Sequence, residues 1–406
     1  MARTAADLPR GTRLSDYISV GVLARAFPPA RVKTILAATG KTSVRERELP
    51  AHVVVYYVMG LALYMQVSYR EVLRCMLEGV QWALGPTATI RVTGKSGISQ
   101  ARTRLGAAPV QQLYDEVVAP IAVPATKGAW YRRWRVVTLD GSTMDVADTL
   151  DNATAWSRPG ASRGASAYPQ LRFVSLVENG THVLFATALD RYDTGETTLA
   201  KRVLPALTPA MLCLADRSFF GWALWTQAQA TGAALVWRIK KNTQLPVHTR
   251  HADGSYQSVI YASLRDRRHQ THGRAVRVID YTLEGLADAE PIYRVITTVL
   301  DPAAAPAQEL AALYHERWEI ETALDELKTH LRGARIILRS KTPELVRQEF
   351  YGLLLAHFAV RGLMHDAALT VDEDPDRVSF VHAVRVVRRT LPRSAAIPPS
   401  GPRRLS

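Results

Sequence analysis

Two spacings of hydrophobic and polar positions alternate along this chain, and the change between them divides it. From about Leu14 to Val118 apolar residues recur at helical spacing. Val20 to Ala38 holds two short amphipathic runs around Pro28-Pro29, a pattern open to a helix-turn-helix or to plain packing. Val53 to Val67 predicts a buried helix, and it is shorter than the ~20 residues that span a bilayer. Ser68-Tyr-Arg-Glu71 reads as a capping box that opens another helix. Near Tyr131 the spacing shortens. Arg135 to Asp140 and Met211 to Asp216 are apolar runs too short for helices, and each ends in a carboxylate. Leu171 to Val177 and Val183 to Leu189 predict two strands joined by a turn. Gly221 to Thr231 predicts a helix stopped at Gly232, and Ala234 to Ile239 a further strand. Strands interleaved with helices predict an α/β fold.

From Thr243 to Leu300 alternation and turn residues predict a mostly β insertion, rich in Arg265, Arg267, Arg268, His269 and His272. That charge run suits a solvated face or a nucleic-acid contact. After Asp301-Pro302 a helix is predicted from Ala307 to Leu331, ending at Gly333. Thr342-Pro-Glu344 starts another, and Leu345 to Ala368 is apolar at helical spacing. A basic segment with Arg385, Arg388, Arg389, Arg393, Arg403 and Arg404 closes the chain. On the helix after Pro302, Tyr314, Arg317, Glu321 and Lys328 fall within an arc of roughly 60° at about 100° per residue. Leu313, Ile320, Leu324, Leu327 and Leu331 form an apolar face beside that arc. Arg317 and Glu321 are also an ordinary i, i+4 pair.

Composition narrows the class. The 406 residues include 51 Lys+Arg against 37 Asp+Glu, a net charge of +14, with 47% hydrophobic residues. That excludes disorder as the main state. It points to a polyanion partner, most simply nucleic acid, or to a soluble enzyme in which Arg replaces Lys. Cys75 and Cys213 are far apart and no C-x-x-C pair exists, so neither a thiolate zinc site nor a disulfide framework is expected. Met1 to Thr12 lacks the apolar core of a signal peptide, which fits a reduced, intracellular setting. Asp140 and Asp216 stand out against this background. Ligand sites of open α/β sheets gather near strand ends. Two carboxylates on neighbouring strands repel unless a cation lies between them, and Mg²⁺ is a hard cation that takes carboxylate oxygens. Either Asp alone also reads as a turn residue or a helix cap.

Taken together, these residues resemble the DDE transposases of the insertion-sequence-four family, the bacterial cut-and-paste class, over most of the chain. Thr138-Leu-Asp-Gly-Ser-Thr143 is similar to the family's first-Asp motif, and Ala215-Asp-Arg-Ser-Phe-Phe-Gly221 to its second. Tyr314, Arg317, Trp318, Glu321 and Lys328 match the signature around its Glu. Arg45-Glu-Arg-Glu-Leu-Pro50 resembles the N-terminal domain, and Arg339-Ser-Lys-Thr-Pro343 and Asp374-Pro-Asp-Arg-Val-Ser-Phe380 the C-terminal region. Two departures stand out. The chain ends soon after Arg393, without the longer basic tail of many members. The stretch Ile292-Tyr-Arg-Val295 has no Trp of the kind some relatives stack on a flipped base, so Tyr293 is either a substitute or a core tyrosine.

The resemblance implies an RNase H-like catalytic core with a β-rich insertion, flanked by helical N- and C-terminal regions. The expected domains are 1–125, helical and DNA-binding; 130–340, catalytic, with the insertion at 243–300; and 341–406, helical and basic. Asp140, Asp216 and Glu321 would be the metal triad, holding two Mg²⁺ ions that Mn²⁺ can replace. Tyr314, Arg317 and Lys328 would bind DNA near the scissile phosphate. Arg45, Arg47, Lys95, Arg102 and Arg104 are candidates for contacts to the transposon ends. The implied partners are double-stranded DNA, both transposon ends and target, and a second copy of the chain in a paired-end complex, with no membrane. The implied setting is the bacterial cytoplasm, at the nucleoid. An RNase H-like nuclease that cuts without joining would carry the same triad, and a transposase-derived DNA-binding protein the same fold.

Overall fold

The structure is a computed structural model. It describes residues 19–43, 49–73, 95–161, 164–165, 168–240, 242–283, 291–317, 323–324, 326–330 and 337–389. By packing, the chain forms two compact units. One comprises residues 1–121, 144–170 and 325–406, the other 122–143 and 171–324. Each unit is assembled from separated segments, whereas the sequence reading divides the chain linearly.

The first unit is helical. The expected pair of short helices forms at Ser19–Ala26 and Pro29–Ala38, with Pro29 in the first turn, where a missing N–H costs nothing. The apolar run becomes the helix Ala51–Leu63, with residues 53–63 all buried. The Ser68 hydroxyl accepts from the Glu71 N–H at 3.2 Å, as the capping box predicts. The spine of this unit is the 28-residue helix Pro343–Thr370. It crosses Ala51–Leu63 at Gly352, where a Cβ would lie 2.6 Å from Val58 Cγ1 and 2.8 Å from the Val58 carbonyl oxygen. Only glycine permits that approach.

Sequence spacing presents the spine as apolar, yet it buries a polar seam. Gln348, Glu349, His357, Arg361 and His365 are all buried. Arg102 answers the upper end. Its Nε donates to Gln348 Oε1 at 2.9 Å and one Nη to Ser340 Oγ at 2.8 Å, while Gln348 Nε2 donates to the Arg102 carbonyl at 3.0 Å. Glu349 accepts from the backbone N–H groups of Arg339 and Ser340 at 3.1 and 2.9 Å. Lower down, Arg361 grips Glu326 through Nε at 2.9 Å and through a second, shorter bond. Arg102 is thus a correction to the sequence reading. It is 3% exposed and joins two helices, so it has no face to offer DNA. Arg45 and Arg47, and the side chain of Lys95, lie outside the described residues, whereas Arg104 is exposed.

The second unit is built on a ten-stranded sheet. Its strands are β1 (Trp134–Asp145), β2 (Gln170–Glu178), β3 (Leu184–Arg191), β4 (Met211–Ala215), β5 (Ala234–Arg238), β6 (Thr249–Arg250), β7 (Tyr256–Ile260), β8 (Arg274–Tyr281) and β9 (Tyr293–Thr297). A two-residue strand, Trp130–Tyr131, pairs with β1. The order across the sheet is β3-β2-β1-β4-β5-β9-β8-β7-β6. β2 and β3 form the expected hairpin. β1, β4 and β5 are parallel, and parallel neighbours need crossovers. The helices Glu196–Val203 and Trp222–Ala230 supply them. Gly232, at φ +81°, stops the second helix as predicted. The first five strands and their helices are the mixed sheet expected of an RNase H-like core.

The β insertion is present but is not a separate layer. β9 pairs with β5 and extends the same sheet. The helix Ala307–Glu316 lies on this sheet, with Leu310, Leu313 and Tyr314 in one cluster with Val136, Leu212, Leu214, Val236 and Val295. Cys213 is buried in β4. Two expectations need correcting. β1 does not end at Asp140 but runs five residues further. The helix after Pro302 is not uniform either. One α-helix covers Ala307–Glu316, residues 323–324 are again helical, and residues 326–330 form a π-helical turn. A π turn winds more residues per turn than an α-helix, so the 100° step that placed Lys328 on one edge with Tyr314 does not hold there.

Arg102→Ala is expected to destabilise the protein by about 2–4 kcal/mol, because it strands buried Gln348 and Ser340. A urea titration measures this, with gel shifts on terminal-repeat and scrambled DNA showing unchanged preference. A loss of preference without a loss of stability would mean that Arg102 reads DNA after all.

Candidate functional site

The pairing of β1 with β4 runs out at a defined place. Leu139 lies opposite Ala215, the last pair of the ladder. The next residues are Asp140 and Asp216, so two carboxylates leave adjacent parallel strands at one level. Both are half-buried. Asp140 Oδ1 accepts from the Gly141 N–H at 2.8 Å. Gly141 has a steric reason to be glycine: a Cβ there would lie 3.0 Å from Val174 Cγ2 and 3.1 Å from the Phe173 carbonyl oxygen. The same virtual atom lies 3.4 Å from Glu196 Cδ, so a third acid, from the first turn of Glu196–Val203, stands beside Asp140. Sequence reasoning missed Glu196. Its only signal, an acid in a helix first turn, is common.

Electrostatics follow from that crowding. Burial pushes the Asp140 carboxyl up to about 6, and Glu196 and Asp216 push the same way against the Gly141 N–H and Arg317. Arg317 follows the last turn of Ala307–Glu316 and is 7% exposed. Burial alone would lower its pKa, but Tyr314, Asp140 and Asp216 outweigh that and raise it. Its guanidinium lies 5.6 Å from the centre of the Tyr314 ring. Its Nε is buried and has no hydrogen-bond partner among the described residues.

The other expected site residues fall in different places. Tyr314 is 3% exposed, and its hydroxyl donates to the Ala215 carbonyl at 3.3 Å. That corrects the expectation of a DNA contact, since Tyr314 holds the end of β4 just before Asp216. Glu321 and Trp318 lie outside the described residues. Lys328 belongs to the helical unit, half-buried on the π turn beside Glu326. Tyr293 is 9% exposed and stacks on Tyr281 at 5.4 Å, so it is a core tyrosine and not a free stacking platform. Arg238 covers it, 4.7 Å from the ring centre. The ladder places Trp237 beside Ala215, so Arg238 follows at the level of Asp216. Nothing in the sequence marked Arg238 beyond its place after an apolar run.

The donor chemistry of Asp140 and Asp216 fits a hard divalent cation, which takes carboxylate oxygens. Among the described residues, no group of three or more His, Cys, Asp or Glu is arranged to hold a metal ion. The paired acids would thus supply part of a ligand set.

A mixed α/β sheet with two aspartates at one level of neighbouring parallel strands, and a buried arginine facing them, defines the class of nucleic-acid-cutting domains to which the comparisons lead. Residues 133–359 match the family described as the transposase DDE domain, and residues 17–115 match the insertion element 4 transposase N-terminal family. The chain belongs to the insertion-sequence-four family of DDE transposases, and it is a DNA transposase. It is 28% identical over 389 residues to the transposase InsG for insertion sequence element IS4 of Escherichia coli (strain K12), covering 94% of this chain and 83% of that protein. It is 23% identical over 221 residues to the putative transposase InsZ of the same strain, covering 54% of this chain and 71% of that one. Among solved structures, a piggyBac transposase synaptic complex with hairpin DNA aligns with 93% of this chain and 81% of its own at 12% identity. Its TM-score is 0.46, too low to bear on the site. No described helix is long and apolar enough to cross a membrane.

The Asp140 carboxyl binds its proton more tightly folded, near 6, than at its ordinary 3.8. Folding stability therefore falls as pH rises between those values, and the loss persists above 6. Asp140→Asn keeps the shape without the charge. In metal-free buffer at pH 7.5 it is expected to raise stability by about 1 kcal/mol, with no gain at pH 4. Added Mg²⁺ should raise the wild-type Tm more than that of the variant. Thermal melts check both, and a lower Tm for the variant at pH 7.5 would contradict the carboxylate crowding.

Proposed function

We propose that this chain cuts the ends of its insertion sequence and joins them to target DNA, with Asp140, Asp216 and Glu321 as the metal-holding acids. The carrying observation is the level placement of Asp140 and Asp216 where β4 ends. Residues 130–340 would carry the chemistry, residues 1–125 the recognition of the transposon ends, and residues 341–406 a helical, basic flank. Mg²⁺ is the ion proposed, as two ions, with Mn²⁺ able to replace it. When bound, such ions activate the attacking oxygen and stabilise the leaving one in an in-line phosphoryl transfer.

The chain's own residues supply the rest. Asp140 and Asp216 hold their carboxylates side by side because the ladder and Gly141 fix β1. Tyr314 fixes the backbone before Asp216. Arg317 faces the acids with a donor left over, and its planar fork suits a phosphate oxygen pair. Lys328, on the π turn of the helical unit, is proposed as a DNA-binding residue from its match to the family signature alone. Water would attack in the first cut, and a DNA 3′-OH in the joining step or in hairpin formation on the flanking end. No protein nucleophile is needed. Cutting two ends together calls for a second copy of the chain in the paired-end complex. The reaction belongs in the bacterial cytoplasm, at the nucleoid.

Glu321→Ala is expected to reduce metal-dependent cleavage by at least ~10³-fold, about 4 kcal/mol of barrier, with DNA binding largely intact. Cleavage at wild-type rates would remove Glu321 from the site. Arg317→Ala should weaken binding to cleaved or hairpin ends more than to random duplex. Equal loss on both would make Arg317 a structural residue only. A strand-transfer assay with pre-cleaved ends and a target plasmid tests joining, and cutting without joined product would make the chain a nuclease.

A further inference from the structure

We propose that the basic lobe between β7 and β8 binds the phosphate backbone of the duplex being cut, about one helical turn away from the scissile phosphate. This rests on the transposase reading and deepens it.

The lobe is a built element. Ser263 caps the helix Leu264–His269, accepting from the Asp266 N–H at 3.1 Å, and Gln270 closes it in the left-handed region at φ 51°. Gly273 then allows the chain to return under Val259 and Tyr261, where a Cβ would lie 2.4 Å from Val259 Cγ1. Yet none of the residues of that helix is buried. A capped, closed helix with no buried face is not explained by packing. Its charges are one-sided. Arg265, Arg268 and Arg274 are exposed, and none makes an ion pair among the described residues. Arg267 donates to Gln244. Asp266, the one acid between Arg265 and Arg274, bonds Ser263. Like charges held this close repel, and a polyanion is the partner that relieves them. The regular spacing of DNA phosphates suits three arginines that carry no base-reading geometry between them.

The sheet register gives the distance. One row of paired residues crosses the unit: Leu139, Ala215, Trp237, Ile296, Val278 and Tyr256. Asp140 and Asp216 are one residue beyond that row. β7 runs the other way, and Ile260, opposite Arg274, is four residues on the far side. Five residues along a strand are about 17 Å, and the four or five strand spacings across are about 19–24 Å. The two legs combine to about 25–29 Å, with the lobe at the opposite end of the strands from the acids. That excludes it from the scissile phosphate. It is most of one turn of B-form duplex, about 34 Å.

The experiment uses the full chain and duplexes carrying one transposon end, extended stepwise by separate arms into the element and into the flank. The variants are Arg265→Ala/Arg268→Ala/Arg274→Ala and the same three positions changed to Lys. Wild type should gain affinity once one arm passes about ten base pairs beyond the cleavage site. The Ala variant should lose that gain, and its slope of log K against log salt should be shallower by about 2.7. Between 50 and 200 mM salt that slope difference amounts to about 40-fold. The Lys variant should bind as wild type, and all three proteins should cleave the shortest substrate alike. An unchanged slope would overturn the proposal. So would equal loss on the shortest duplex, or a loss on unlinked target duplex only. Absence of cleavage by wild type would count against the transposase chemistry, while the salt slope would still decide the lobe.

Discussion

Two carboxylates at one level of adjacent parallel strands repel each other, and the surroundings of the site are arranged to hold them there. The ladder from Arg135 to Leu139 against Met211 to Ala215 fixes their heights. Tyr314 ties the Ala215 carbonyl, so the end of β4 cannot drift from its neighbour. Gly141 leaves room for β2 and Glu196 to close in, which desolvates Asp140 and raises its pKa. Arg317 is the one buried positive charge that the described residues set against this pair, and it does not bring the Asp140 carboxyl back to its ordinary value. A polar site that keeps such crowding without a neutralising partner is strained electrostatically. A hard divalent cation, which takes carboxylate oxygens, would relieve it.

The helical unit answers a different problem. A spine of 28 residues with buried Gln348, Glu349 and Arg361 would be unstable as a bare apolar helix, since each buried polar group needs a partner. Arg102, Ser340 and Glu326 provide these from separate segments. The seam therefore specifies which segments meet the spine, more than it adds net stability. It also holds the turn on which Lys328 lies, because Glu326 is two residues before it.

Legibility in the sequence follows from where the information sits. Strand and helix positions were legible where local period decides them: the β2–β3 hairpin, the helix stopped at Gly232 and the buried run after Ala51 all fall where spacing puts them. The length of β1 was not, because residues beyond Asp140 lose their apolar period while keeping strand geometry. The π turn at 326–330 was invisible for a similar reason, since a helical wheel assumes a constant step. At the site, Asp140 and Asp216 were legible as acids after short apolar runs. Glu196 and Arg238 were not, because each reaches the site through strand register and helix placement, which no local pattern records.

The arginines make the same point about charge. Arg102, Arg277, Arg317 and Arg361 are buried, whereas Arg265, Arg268 and Arg274 are exposed. Arg277 is fully buried on β8 and bonds the Ala305 carbonyl, with burial lowering its pKa. These groups contribute equally to a net charge of +14 and act oppositely. Arg102, Arg277 and Arg361 are held by Gln348 and Ser340, the Ala305 carbonyl and Glu326, so their fields are largely used within the fold. Buried Arg317, in contrast, keeps its Nε without a hydrogen-bond partner among the described residues. An exposed guanidinium without an ion pair projects its field into solvent, where only a partner's anions meet it. The attraction of this chain for DNA therefore depends on which arginines the packing leaves unanswered.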